Sequence, residues 1–172
     1  MGEVLVGLPP RADADCRVLV LGSMPGSASL RGAQYYAHPR NRFWPVMGAL
    51  CGFDPEAPYE ARFDALRRAG VGVWDVIGRC ERPGSLDAAI VRGSEVPNAI
   101  GDWLAAHPEV AAIALNGGKA ADAFRRHVRP TLADPLPTLL ALPSTSPAHA
   151  AKDVPALLDA WGAIKPFLRR SS

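Results

Sequence analysis

Cysteine is scarce and scattered: Cys16, Cys51 and Cys80 are the only three, and no two of them form a C-x-x-C pair. Such a set builds neither a disulfide framework nor a four-thiolate zinc or iron–sulfur site, so a reduced, cytoplasmic protein is expected. Long apolar runs are missing too. No stretch reaches about 18 uninterrupted apolar residues, and the start, MGEVLVGLPPRADAD, has no basic segment leading into an apolar one. Neither a membrane span nor an export signal is expected.

Several chemical signatures are also absent. Lys119 follows Gly117 and Gly118 without the G-x-x-x-x-G-K-[ST] spacing and with no Ser or Thr after it, which excludes a P-loop nucleotidase. No serine stands in a G-x-S-x-G elbow, although His38 and His149 leave a hydrolase triad formally open. The same histidines and Asp75 have no recognised ligand spacing, so no metal and no cofactor is expected.

The most informative absence is local. No acidic residue occurs between Asp15 and Asp54, whereas Arg17, Arg31, Arg40, Arg42 and His38 lie there among Tyr35, Tyr36, Phe43 and Trp44. Cations satisfy phosphates and flat rings stack on bases, so the run suits nucleic acid. A formal net charge of +2 is too small to carry that reading by itself; the placement carries it.

A chain of 172 residues predicts one domain over 1–172, with 1–16 an irregular lead-in because Pro9-Pro10 blocks regular structure. Val18 to Leu21 reads as a buried strand that breaks into the sharp loop Gly22-Ser23-Met24-Pro25-Gly26. Asn41 is placed to cap a helix over 42–51, and a second helix over 56–69 stops at Gly70. Further strands are predicted over 72–77, 110–115 and 138–142, with a polar, turn-rich segment over 78–84 and a short helix from Ser85. Helices are predicted over 97–107, over 119–128, and from an Asp153 cap to a bend or stop near Pro166.

This alternation implies a parallel sheet with helices on both faces, whose loops converge beyond the carboxyl ends of the strands. Asp75, Asn116 and the Pro143–Pro147 loop would then share an edge with Gly22–Gly26. Ser144, Thr145 and Ser146 between their prolines read either as a rigid surface turn or as hydroxyls and N–H groups that grip phosphates.

Taken together, Gly22-Ser23-Met24-Pro25-Gly26, the run Gln34-Tyr35-Tyr36-Ala37-His38-Pro39-Arg40-Asn41-Arg42-Phe43-Trp44, Asn116-Gly117, and Leu142-Pro143-Ser144-Thr145-Ser146-Pro147 resemble the uracil-DNA glycosylase superfamily. The hypoxanthine-DNA glycosylase branch is the nearest match. The resemblance implies a three-layer αβα sandwich with a four-stranded parallel sheet. It also implies a monomer that flips a deaminated base, chiefly hypoxanthine and alternatively xanthine, out of duplex or single-stranded DNA. Hydrolysis of the N-glycosidic bond would then leave an abasic site without a cofactor.

The same resemblance implies base contacts from Tyr36, where mismatch-directed relatives place a stacking Phe, and from Ser23, Met24, His38 and Asn116. Pro25, Gly26, Ser144, Thr145, Ser146 and His149 would hold the phosphates. Met24 stands where those relatives carry a water-positioning Asn, and a thioether cannot do that work. In the hypoxanthine branch the Asn of H-P-x-N is thought to act, which maps to Asn41, in competition with helix capping. Leu142 stands where uracil-specialised enzymes carry His or Asn. No lysine lies in the signature loop to form a Schiff base. Two alternatives stay open: a uracil- or mismatch-directed glycosylase of the same fold, and a non-catalytic binder of damaged DNA.

Overall fold

The computed structural model describes residues 3–148 and 152–169. Strand β1 (Val4–Val6) precedes β2 (Val18–Gly22), all five residues of which are buried. An unbroken apolar run is what a strand covered on both faces requires. Val18 and Val20 pack on one face with Phe43, Met47, Leu66 and Trp161, while Leu19 and Leu21 pack on the other with Ile77, Ile100 and Phe124.

Helices α1 (Ser27–Gly32), α2 (Phe43–Cys51) and α3 (Tyr59–Ala69) lead into β3 (Val71–Asp75). Then come β4 (Ile77–Glu81), β5 (Val96–Pro97), α4 (Ile100–Ala105) and β6 (Ala112–Asn116). The chain continues through α5 (Gly118–Ala123), β7 (Thr138–Leu142) and α6 (Val154–Trp161).

Four parallel strands form the central sheet in the order β3-β2-β6-β7. Residues of α2, α3 and α6 cover one face and residues of α4 and α5 the other, which makes the three-layer αβα sandwich. The chain runs from β2 to β3 and then crosses back over β2 to reach β6. Strand order therefore reverses at β2, and a crevice opens beyond its carboxyl end.

Two expectations are corrected. The lead-in is not wholly irregular, and the segment after residue 77 is not wholly turn: β1 pairs antiparallel with β4, and β4 with β5, in a second, three-stranded sheet. Leu5, Ile77 and Cys80 point into the α4–α5 side of the core, whereas Val4 and Val6 are exposed. Strand β1, of three residues, has too little pattern of its own; its pairing partner β4, with Val4 opposite Glu81 and Val6 opposite Arg79, makes it a strand. The helix predicted over 97–107 starts only at Ile100, because Val96–Pro97 joins β4. The helix over 119–128 divides into α5 and a π turn, Phe124–Val128.

Asp153 caps α6 by accepting from the Ala156 N–H at 3.0 Å, and Pro166 sits in the 3-10 stretch Gly162–Phe167 that ends the helical run. No helix among the described residues is long and apolar enough to cross a membrane.

Candidate active site

Beyond the carboxyl ends of the four parallel strands lies a cavity of about 670 Å³. Its walls come from the loop after β2, the Tyr36–Asn41 segment, Asp75 at the end of β3, the β6–α5 turn, and the loop after β7. Ser85, Leu86 and Ala88 form a further part of the rim.

Tyr36 is the ring at the centre of this arrangement. Its φ of +55° is left-handed, and its ring stacks on Phe43 with centroids 3.9 Å apart and planes at 12°. A non-glycine residue in that region is strained by roughly 1 kcal/mol or more, so the surrounding contacts must hold it. The Asn116 Nδ2 donates to the Tyr36 hydroxyl at 3.2 Å.

The other aromatics of the run behave differently. Tyr35, Phe43 and Trp44 are buried at 3%, 0% and 5% exposure, so Tyr36 alone of the four is half-exposed and able to offer a face. Burial pushes the Tyr35 phenol far above its ordinary pKa, and its O–H donates to the Pro9 carbonyl at 2.7 Å.

Asn116 also organises the loop after β7. Its Oδ1 accepts from the Thr145 N–H at 3.0 Å, and its Nδ2 donates to the Thr145 hydroxyl at 3.1 Å. Thr145 is fully buried, so its hydroxyl braces the loop from within and does not reach a phosphate. Ser144 Oγ accepts from the Ser146 N–H at 3.1 Å and Ser146 Oγ from the Ala148 N–H at 3.2 Å. Each hydroxyl keeps its own proton to donate outward.

Gly117 makes the closeness of these loops feasible. Its φ is +96°, and a Cβ there would lie 2.8 Å from the Ser144 Cβ. Gly22 does the same at the floor, where a Cβ would lie 2.4 Å from Asp75 Oδ1 and 3.4 Å from the Tyr36 hydroxyl. Asp75, at 4% exposure, and the Tyr36 phenol therefore close over the same α-carbon.

Of the cations in the acid-free run, two serve the protein itself. The Arg42 guanidinium donates to the carbonyls of Ser146, at 2.7 Å, and Lys152, and Arg17 Nε donates to the Phe167 carbonyl at 3.0 Å. His38 and Arg40 remain exposed on the cavity wall. His38 Nδ1 accepts from the Arg40 N–H at 3.1 Å, which leaves the ring proton on Nε2.

The N-cap position of α2 is Arg42, not the expected Asn41; Asn41 stands one residue earlier, where its Oδ1 closes a turn by accepting from the Phe43 N–H at 2.9 Å. A carbonyl oxygen has a second lone pair, and the Nδ2 group has no hydrogen-bond partner among the described residues. The bond to Phe43 and contact with a cavity water are thus compatible.

A sequence profile of the uracil DNA glycosylase superfamily matches residues 9–164. Over 117 residues the chain is 34% identical to a hypoxanthine DNA glycosylase of Methanosarcina acetivorans, covering 67% of this chain and 73% of that one. The chain belongs to the uracil DNA glycosylase superfamily, in its hypoxanthine DNA glycosylase branch.

A second hypoxanthine DNA glycosylase, from Methanosarcina barkeri, is 42% identical over 85 residues, which span 49% of this chain and 54% of that relative. This chain thus aligns with only about half of that protein's length. The solution NMR structure of a candidate uracil DNA glycosylase from Methanosarcina acetivorans superposes with a TM-score of 0.78 at 28% identity, covering 95% and 97% of the two chains.

Within this superfamily fold, the two positions that depart from the polar pattern are core residues. Met24, at 6% exposure, packs with Leu21 and Trp74 while touching the cavity. Leu142, at 8%, lies in the opposite core cluster with Trp161. Ser23 is buried and its carbonyl accepts from the Ile77 N–H at 2.9 Å. Pro25 and Gly26 line the wall, whereas His149 lies outside the described residues.

Sequence reading missed Lys119 as a site residue, having weighed it only as a P-loop lysine. It lies half-exposed on the cavity wall directly after Gly117-Gly118. The available signal was its place one turn past a strand end, where α/β folds gather ligand contacts.

Proposed function

We propose that this chain is a monofunctional DNA glycosylase that receives a flipped deaminated purine, chiefly hypoxanthine with xanthine second, and hydrolyses its N-glycosidic bond. The observation that carries the proposal is the Tyr36 ring, backed by Phe43 on one face and bordering the same cavity as Asn41. An aromatic backed on one side receives a base on the other, and rigid backing removes the cost of ordering it on binding.

Bond cleavage passes through an oxocarbenium-like sugar and a departing purine anion. Asn41 positions the water whose oxygen joins C1′ of the sugar, its amide oxygen being too weakly basic to act as a strong base. The glycosidic electron pair leaves with the purine nitrogen, and the proton released by the water goes to the purine or to solvent. His38 Nε2–H and Lys119 are the cavity donors available to the developing negative charge. Leu142 offers no hydrogen bond to a leaving uracil, which favours the purine. The phosphates are held by Pro25, Gly26, Ser144 and Ser146 at the rim, with Thr145 and Asn116 stiffening the grip.

Single-turnover base release from duplexes containing deoxyinosine, xanthosine or deoxyuridine tests this reading in wild type, Asn41→Ala and Asn41→Asp. Hypoxanthine release should exceed uracil release and fall roughly 10²-fold or more in Asn41→Ala, as for other groups that act in the transition state, whereas Asn41→Asp, which keeps an oxygen to position water, should retain release. Asn41→Asp also retains an oxygen for the Phe43 N–H, so stability should drop only in Asn41→Ala, by about 1 kcal/mol. Uracil release that outruns hypoxanthine would reassign the substrate. Lesion binding without any release would make the chain a damage binder.

A further inference from the structure

We infer that this protein pairs with a second copy of itself through the outer face of its three-stranded sheet, β1-β4-β5, whose exposed side chains do not line the cavity described above. Large apolar side chains left exposed among the described residues are Val4, Val6, Leu86, Val91, Val96 and Leu139. Val4, Val6 and Val96, at 53%, 61% and 51% exposure, belong to this one sheet. Val91 lies at its rim, where its N–H donates to the Glu81 carbonyl at 2.8 Å. An exposed valine met singly needs no explanation. Several gathered on one small sheet form a patch of the kind that marks an interaction surface.

Strand register puts these residues on one face. Val4 lies opposite Glu81 and Val6 opposite Arg79 on β4, and Arg79 lies opposite Val96 on β5. Leu5 and Cys80, between them, turn to the core, as alternation along a strand requires. A register shift between Ile77 and Arg79 lets Ile77 join them inside while Arg79 stays exposed. The outer face thus carries one cation and one anion, Arg79 and the half-buried Glu81, down its centre, with valines beside them. Neither charge takes part in an ion pair among the described residues.

The order of those two charges selects the occupant. A two-fold axis lying across the strands, between the levels of Arg79 and Glu81, sets β4 antiparallel on the β4 of a second copy, so that each Arg79 meets the Glu81 of the other. The same rotation lays β1 on β1, where Val4 meets Val6 and Val6 meets Val4. All of these contacts close under one operation, as an isologous interface requires. Exposed ion pairs add little affinity, so burial of the valines holds the pair together while the charges fix its register and reject other partners. Three short strands make a small interface, and pairing is therefore weak and concentration-dependent. The monomer that the family resemblance implies is then the dilute state.

Sedimentation velocity of the full chain, from about 1 μM to about 1 mM, tests the inference in the range where small interfaces dissociate. Wild type should pass from monomer to dimer across that range. Arg79→Glu and Glu81→Arg, each of which sets like charges against each other, should stay monomeric when alone. Mixing the two variants should restore the dimer, because every charge then meets its opposite across the axis, and both substitutions in one chain should restore it for the same reason. Matching melting temperatures at low concentration would show that the single variants fold. A wild type that stays monomeric throughout, a dimer that survives either single reversal, or a mixture that does not pair would overturn the inference. None of these readouts depends on base release, so the dimer and the glycosylase reading stand or fall separately.

Discussion

Asn116 and Thr145 hold each other through both ends of one amide: Oδ1 accepts from the Thr145 N–H at 3.0 Å, and Nδ2 donates to the Thr145 hydroxyl at 3.1 Å. The same Nδ2 reaches the Tyr36 hydroxyl at 3.2 Å. One side chain at the end of β6 thereby couples the loop after β7 to Tyr36.

That coupling is separable by mutation. Thr145→Val removes one Nδ2 partner and should cost about 1 kcal/mol in urea unfolding, whereas Asn116→Leu strands the Thr145 N–H and should cost about 1–3 kcal/mol. Asn116→Leu should also slow base release, because Tyr36 and the loop both lose their tie. A variant with native stability and rate would show that the loop is held by other contacts.

Gly117→Ala places a methyl 2.8 Å from the Ser144 Cβ in a residue at φ +96°. That backbone region is almost closed to residues with a Cβ, so a loss of about 1–3 kcal/mol is expected in thermal unfolding, with slower base release from the displaced loop. Unchanged melting would contradict the described loop contact.

For Tyr36 the ring and the hydroxyl act separately. Tyr36→Phe keeps the stack on Phe43 and should lower base release only a few-fold, while Tyr36→Ala removes the platform. Loss of one base–aromatic stack should weaken lesion binding by about 1–3 kcal/mol, read by fluorescence anisotropy with and without the lesion. Equal losses for the two variants would point to the hydroxyl instead.

Lys119 borders the cavity without being part of the signature loop. If it meets DNA as a cation, Lys119→Ala should lower the slope of log K against log salt by about one. Borohydride should trap no covalent complex with wild type. A trapped complex that disappears in Lys119→Ala would turn the hydrolase into a lyase.

Alkaline stability follows from buried acids. Burial pushes the Cys16 thiol up to about 11 and the Cys51 thiol up to about 12, and raises the Tyr35 phenol as well. These groups stay protonated in the fold where the unfolded chain has released the proton, so stability is complete below about pH 8.5 and falls as pH rises toward the folded values. Urea midpoints should decline from about pH 9 upward, and Cys16→Ala should flatten that decline. A midpoint independent of pH between 9 and 11 would exclude the thiol contribution.

Legibility differed by element. Strand β2 was readable because every residue of Val18–Leu21 is apolar, and β7 because Thr138–Leu142 is bounded by prolines. Strands β1, β4 and β5 were not readable, because their identity comes from pairing with one another. At the site, Asn41 of the H-P-x-N run and Tyr36 just before it both line the cavity. The cationic pattern was misleading in part, since a guanidinium is as suited to backbone carbonyls as to phosphates, and Arg42 and Arg17 took the carbonyls.

The sequence by itself determined the parallel sheet and the loop after β2, since each depends on hydrophobic runs or on residues within a few positions of one another. Only the tertiary structure decided that Thr145 faces inward, that Asn116 joins it to Tyr36, that Lys119 borders the cavity, and that Arg82 donates to the Pro25 carbonyl. The reason is physical. Local propensity acts over a turn or two, whereas a hydrogen bond between residues 29, 57 or 80 positions apart exists only once the sheet has brought their strand ends to one edge.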